Sequence, residues 1–352
     1  MKFATMPVIS GALLGVLAPI LVYFGNPKNM GVCAACFTRD IAGALNLHQM
    51  QATQYIRPEI IGIVIGAFIA SLIFSEFKGR GGSSPVIRFI FGIFAMIGAL
   101  VFLGCPWRLF LRLSAGDLSA IAGLFGLIGG IIVGSFFIKS GFSLGSKKEL
   151  NKFSGFGFLF FIIALLLFFA WKVFGDNSPI SFSTKGPGAA HAPFLLSIVA
   201  GISIGFIFQR SRFCTIGAFK NIYLIKDSAM LQGVIALLVA AFITNLAFGF
   251  FSLGFTNQPI AHNNILWNFL SMLLCGLAFS LGGGCPGRQL VLAGEGDNDA
   301  GIFILGLLLG GAIAHNFNLA SSANGITANA PTAVLIGIAF CLIVAFFAKE
   351  KK

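Results

Sequence analysis

The stretch "VFLGCPWRLFLRLSAGD", residues 101–117, returns as "SLGGGCPGRQLVLAGEGD", residues 280–297. A shift of 180 residues lays Gly104, Cys105, Pro106, Arg108, Gly116 and Asp117 on Gly284, Cys285, Pro286, Arg288, Gly296 and Asp297, six identities in fourteen positions. A shift of 181 lays Cys33 of "CAACFTRD" on Cys214 of "CTIGAFKN", with a basic residue six places later in each, Arg39 and Lys220. The chain reads as two related halves, and the composition of those halves decides the fold.

Hydrophobic residues make up 57% of the 352 and charged residues 10%, where soluble domains carry about 25% charged. Such a chain is a membrane protein. A helix needs about 20 apolar residues to cross a bilayer, and ten runs near that length are read at 8–24, 58–77, 87–103, 118–138, 155–174, 194–209, 230–252, 265–282, 300–316 and 331–348. The first run lacks a small-residue cleavage site and is read as a span rather than a signal peptide. Five spans fall in each half, and an odd number turns the second copy upside down, the inverted-repeat plan of many transporters. The expected fold is all-α and polytopic: a first repeat over 1–175, an extracytoplasmic linker over 176–193 and a second repeat over 194–352.

Short loops rich in Lys and Arg stay in the cytoplasm. With strict alternation from a cytoplasmic N-terminus, 16 of the 23 basic residues fall inside, the tail "KEKK" among them. This predicts an inner-membrane protein with both termini in the cytoplasm. The net charge of +12 is then a matter of topology, and no basic face is left for nucleic acid.

The Cys-bearing segments are too short to cross and are expected as re-entrant helices or loops, Cys33 and Cys105 from the outer face, Cys214 and Cys285 from the inner. Non-helical backbone at membrane depth is tolerated only where protein or a water-filled cavity satisfies it. Proline is favoured at the first helical position, so Pro106 and Pro286 put Cys105 and Cys285 at helix N-caps. That end of a helix attracts anions and raises a thiol's thiolate fraction. Arg108 and Arg288 add a guanidinium one turn in, and Gly104 and Gly284 let backbone approach a ligand. Sulfur beside an anion-attracting helix end suggests a soft sulfur or selenium anion.

Plainer readings compete. Cys275 and Cys341 lie inside spans without repeat partners and read as apolar fillers. Arg112 reads equally well as an interfacial anchor or as a functional residue. Asp117 and Asp297 read as N-caps, and Glu295 and Asp299 as solvated charges. Cys33 and Cys36 form a Cys-X-X-Cys, but no second one exists for a zinc site, and Cys36 has Gly217 as its counterpart. The four histidines show no ligand spacing, so neither metal nor cofactor is expected.

"GFIFQRSRFCTIGAFKN" (205–221) and "GGGCPGRQLVLAGEGD" (282–297) resemble the YeeE/YedE family of membrane transporters. The doubled Cys-Pro-X-Arg resembles most the YedE (FdhT) branch, associated with selenium metabolism; thiosulfate-uptake members are related. The resemblance implies an hourglass with Cys33, Cys105, Cys214 and Cys285 on the substrate pathway and Cys105 and Cys285 at its narrowest part. It also implies a cytoplasmic sulfur-carrier partner of the TusA/SirA type. The expected function is therefore transport rather than catalysis: a selenium- or sulfur-containing anion enters past Arg39 and Arg108, moves between thiols by weak S–H contacts, and leaves past Cys285 and Arg288. The rivals are thiosulfate uptake, a thiol oxidoreductase built on Cys33 and Cys36, and a channel for a neutral solute.

Overall fold

The computed structural model describes residues 4–175 and 177–349. Residues 1–3, Asp176 at the start of the expected linker, and 350–352 of the basic tail lie outside the described residues. The protein is a bundle of helices: α1 (Thr5–Tyr23), α2 (Ala34–Ala44), α3 (Pro58–Ile73), α4 (Pro85–Phe102), α5 (Pro106–Ser114), α6 (Ala120–Lys139), α7 (Gly157–Phe174), α8 (Phe194–Ser211), α9 (Thr215–Ile225), α10 (Ala229–Ala247), α11 (Ile265–Gly282), α12 (Pro286–Gly294), α13 (Asn298–Asn316) and α14 (Ala330–Phe347). A small antiparallel ribbon joins β1 (Arg80–Gly81) to β2 (Lys148–Glu149).

Ten of these helices lie on the ten apolar runs. Among the described residues, nine helical stretches are long and apolar enough to cross a membrane, and the protein is an all-α, multi-pass membrane protein. The run at 58–77 yields only the 16-residue α3, about 24 Å at 1.5 Å per residue against a hydrocarbon core of about 30 Å. It stops early because Ser75 takes a left-handed φ of 55° and the charged residues beyond it leave the helix. There the Lys78 N–H donates to the Glu295 carbonyl at 3.2 Å.

The long helices pack most closely as α1 with α10, α3 with α8, α4 with α13 and α6 with α11. Every pair takes one helix from each half. Advancing both members by seven helices turns α1–α10 into α8–α3 and α4–α13 into α11–α6. Lipid gives helices no hydrophobic reason to associate, so close backbone approach at small residues does the work. A Cβ on Gly11 would sit 1.7 Å from the Gly233 carbonyl oxygen, and one on Gly126 would sit 2.0 Å from that of Phe269. Loops cross over in the same paired manner. Leu118 N–H donates to the Gly254 carbonyl, while Arg80 N–H donates to the Gly296 carbonyl.

Inside this frame lie four short helices of 9 or 11 residues, α2, α5, α9 and α12. All of α2 is buried. At about 14–17 Å they are too short to cross, and each begins directly after one of the four repeated cysteines.

Candidate functional site

The break before α5 comes at Leu103 and the break before α12 at Gly283, both in the left-handed region, at φ 64° and 100°. Glycine adopts that conformation freely and leucine at a cost, yet a left-handed residue ends the helix at both places. Proline then opens each short helix, Pro106 for α5 and Pro286 for α12, leaving Cys105 and Cys285 as N-caps. Cys33 and Cys214 cap α2 and α9 in turn. Their sulfurs accept the N–H groups of Cys36 and Gly217, each at 3.4 Å.

These four caps meet in two pairs. Cys33 Sγ lies 3.6 Å from Cys105 Sγ, and Cys214 Sγ lies 3.7 Å from Cys285 Sγ. Each pair thus joins two helix N-termini, whose free N–H groups and dipoles favour negative charge. Gly104 packs against the Arg108 side chain, where a Cβ would come within 2.9 Å, and a Cβ on Gly284 would lie 3.7 Å from Cys214 Sγ.

The two arginines are held differently. Arg108 is 1% exposed. It donates to the carbonyls of Asn29 at 3.1 Å and Ile260 at 2.8 Å, and to Cys36 Sγ at 3.6 Å. Among the described residues no carboxylate lies within ion-pair distance of it. Arg288, in the matching place, pairs with Glu295 at 3.3 Å. Glu295 also takes Arg80 and Arg212, each at 2.7 Å.

This geometry gives several residues singled out in the sequence partners inside the fold. Arg39, expected on the anion path, is buried with its guanidinium on Asp40 at 2.5 Å, and Arg57 joins the same carboxylate at 2.8 Å. Its charge is spent inside the fold. Glu295 and Asp299 are buried rather than solvated, because Glu295 is ringed by arginines and Asp299 accepts the N–H groups of Gly82 and Ser83. Arg112 is buried, bonded to Asp117, Ser119 and the Phe102 carbonyl. Asp297 caps α13 by accepting from Ala300 N–H, whereas Asp117 pairs with Arg112 and accepts the Ser119 N–H at 2.9 Å just ahead of α6, whose cap position, Ser119, makes no side-chain cap bond. Cys36, which has no cysteine counterpart, belongs to the first cluster through Arg108. The signal for it was available in the one-turn spacing from Cys33, which puts both thiols at the start of one helix.

A cavity of about 210 Å³ reaches the second pair and is lined by Cys214, Arg212, Lys220, Gly284 and Arg288. A smaller space of about 20 Å³, lined by Asn29, Lys28 and Leu111 among others, touches none of Cys33, Cys36 and Cys105. Two buried polar atoms around the pairs make no hydrogen bond within the protein: Trp107 Nε1 and Asn29 Nδ2. Unpaired buried polar atoms are uncommon and ask for an explanation.

The Sulphur transport family matches residues 210–348, a stretch that contains Cys214, Cys285 and Arg288. Over that stretch the match bears out the resemblance to the YeeE/YedE family. The chain is also 30% identical over 103 residues to the thiosulfate transporter TsuA of Escherichia coli (strain K12). That alignment spans 29% of this chain and 28% of the transporter, so the likeness covers a part of each.

Proposed function

We propose that the protein carries a small sulfur- or selenium-containing anion across the inner membrane into the cytoplasm, past the thiol pairs Cys33–Cys105 and Cys214–Cys285. The observation that carries this reading is Arg108. A guanidinium removed from water costs several kcal/mol unless an opposite charge meets it, and Arg108 lies among Cys33, Cys36 and Cys105 without a carboxylate. An anion resting on the first thiol pair supplies the missing charge and accepts from thiols and helix N–H groups together.

Residues 1–175 and 194–352 act in this proposal as inverted repeats. The first pair faces the outer side, the second faces the cytoplasm, and both termini are cytoplasmic. Arg212, Lys220 and Arg288 around the wider cavity favour an anion there as well. Hand-over from thiol to thiol needs no covalent step. The paired Cys-Pro-X-Arg favours a selenium anion, and the likeness to a thiosulfate transporter favours thiosulfate. A cytoplasmic sulfur carrier of the TusA/SirA type is the proposed recipient and rests on family resemblance.

Uptake of radiolabelled selenite and thiosulfate into cells lacking their own carriers decides between these substrates, with Cys105→Ser and Cys285→Ser as controls. The expected result is accumulation that falls at least tenfold in both variants, about 1.4 kcal/mol of lost stabilisation. Accumulation indifferent to both substitutions removes the thiols from the path. The gathering of Cys33, Cys36 and Cys105 keeps one second reading, a thiol oxidoreductase, which requires Cys36→Ser to abolish all activity.

A further inference from the structure

The two Cys-Pro-X-Arg segments differ at X, and the two X residues touch. Trp107 is the second residue of α5 and Gly287 the second residue of α12. A Cβ on Gly287 would fall 1.8 Å from Trp107 Cζ2, 2.2 Å from Cη2 and 2.5 Å from Cε2. The indole therefore lies directly on the Gly287 backbone, reaching from the helix start that Cys105 caps to the helix start that Cys285 caps. Its six-membered ring occupies the place a second side chain would need, which is why one X is the largest residue and the other the smallest.

Two further observations set this ring apart from ordinary filling. Its Nε1 hydrogen has no acceptor within the protein although the residue is 1% exposed, and buried tryptophan N–H groups usually find one. Cε2, the atom bonded to Nε1, belongs to the edge that faces Gly287, so the unpaired donor sits beside that contact. The ring is also held on α8 through one edge-to-face contact, with Phe208 at 5.4 Å and 79°. The buried ring thus meets one aromatic neighbour on α8 and a bare backbone at Gly287.

We infer that Trp107 is a side-chain gate between the two thiol pairs, closed when the indole rests on Gly287 and offering its N–H to an anion when it swings aside. The inference rests on the proposed transport for its anion but not for its barrier. The ligand chemistry is that of a lone pair on oxygen, sulfur or selenium of a small anion, since the indole N–H only donates.

The test uses full-length protein in liposomes and a membrane-impermeant, anionic methanethiosulfonate added on the side of the wider cavity, with labelled cysteines read by peptide mass spectrometry. In the wild type, Cys214 is expected to label and Cys33, Cys36 and Cys105 to stay unmodified. Trp107→Gly should raise labelling of that trio from the same side at least about tenfold, while Trp107→Phe, which keeps a ring, should not. Gly287→Ala is the second route, because its methyl cannot coexist with the seated indole and should open the barrier likewise. Folded Trp107→Gly or Gly287→Ala protein that labels as the wild type does overturns the gate. Thiosulfate uptake in Trp107→Phe reads the donor: a fall of roughly tenfold is expected for one lost charge-assisted hydrogen bond, and unchanged uptake removes that role. Absence of uptake in every variant, with labelling as expected, refutes the transport reading and leaves the barrier standing.

Discussion

Arg108 and Arg288 stand at the same place in two copies of one motif and keep opposite company. Arg288 shares a buried carboxylate, Glu295, with Arg80 and Arg212. Arg108 has two carbonyls and a thiol. A charge that is met within the fold contributes to holding the fold, whereas one left unmet is maintained at a cost that function has to justify. The duplicated motif thus holds one arginine bound up with loop packing and one without a carboxylate partner among the described residues.

The comparison can be broken most forcefully at Glu295. Glu295→Gln leaves three arginines around one neutral amide. The expected destabilisation is on the order of 3 kcal/mol, reduced from the full cost of a dry site by the partial exposure of Arg80 and Arg212; thermal unfolding in detergent measures it. An unchanged melting temperature would mean that the cluster is held by solvent. Cys36→Gly sharpens the comparison by giving α2 the residue that α9 has at this place. It removes one weak acceptor from Arg108, and uptake is expected to fall by less than about tenfold. Complete loss would instead favour redox chemistry at Cys33 and Cys36.

The smallest effect is one of pH, in the loop after α3. The Gln209 amide hydrogen bond, followed by Arg212 and Arg210, holds the Glu76 carboxyl below the usual carboxylate range. A lowered folded-state value contributes stability that is present above the ordinary carboxylate pKa and lost as pH falls through the lowered one. Acid titration of thermal stability should therefore drop less steeply in Glu76→Gln than in the wild type. Because Glu76 is about a third exposed, the difference is expected to be small.

The helices were legible because membrane spans are written in length and apolarity, and the cap geometry because a proline after a cysteine at a span's end has few other uses. What the chain does not announce is which charges are met inside. Glu295 and Asp299 follow a glycine-rich turn and read as solvated. Only the fold brings Arg80 and Gly82, more than two hundred residues earlier, onto them. Arg39 shows the same in miniature: its neighbour in sequence, Asp40, is also its partner, and local pairing cannot be told from local crowding without a backbone. Trp107 on Gly287 was beyond reach, since a repeat alignment sets those two residues in equivalent places and says nothing of their contact.

Uptake of radiolabelled thiosulfate and selenite by Arg108→Leu beside Arg288→Leu, at matched amounts of folded protein, tests the account most directly. Arg108→Leu is expected to lose uptake by at least about a hundredfold, the loss of a desolvated charge from an anion's seat, with no loss of thermal stability. Arg288→Leu should keep uptake within about tenfold of the wild type. Uptake that survives in Arg108→Leu, or that falls equally in both, would contradict the claim that the unpaired guanidinium among three thiols is where the anion binds.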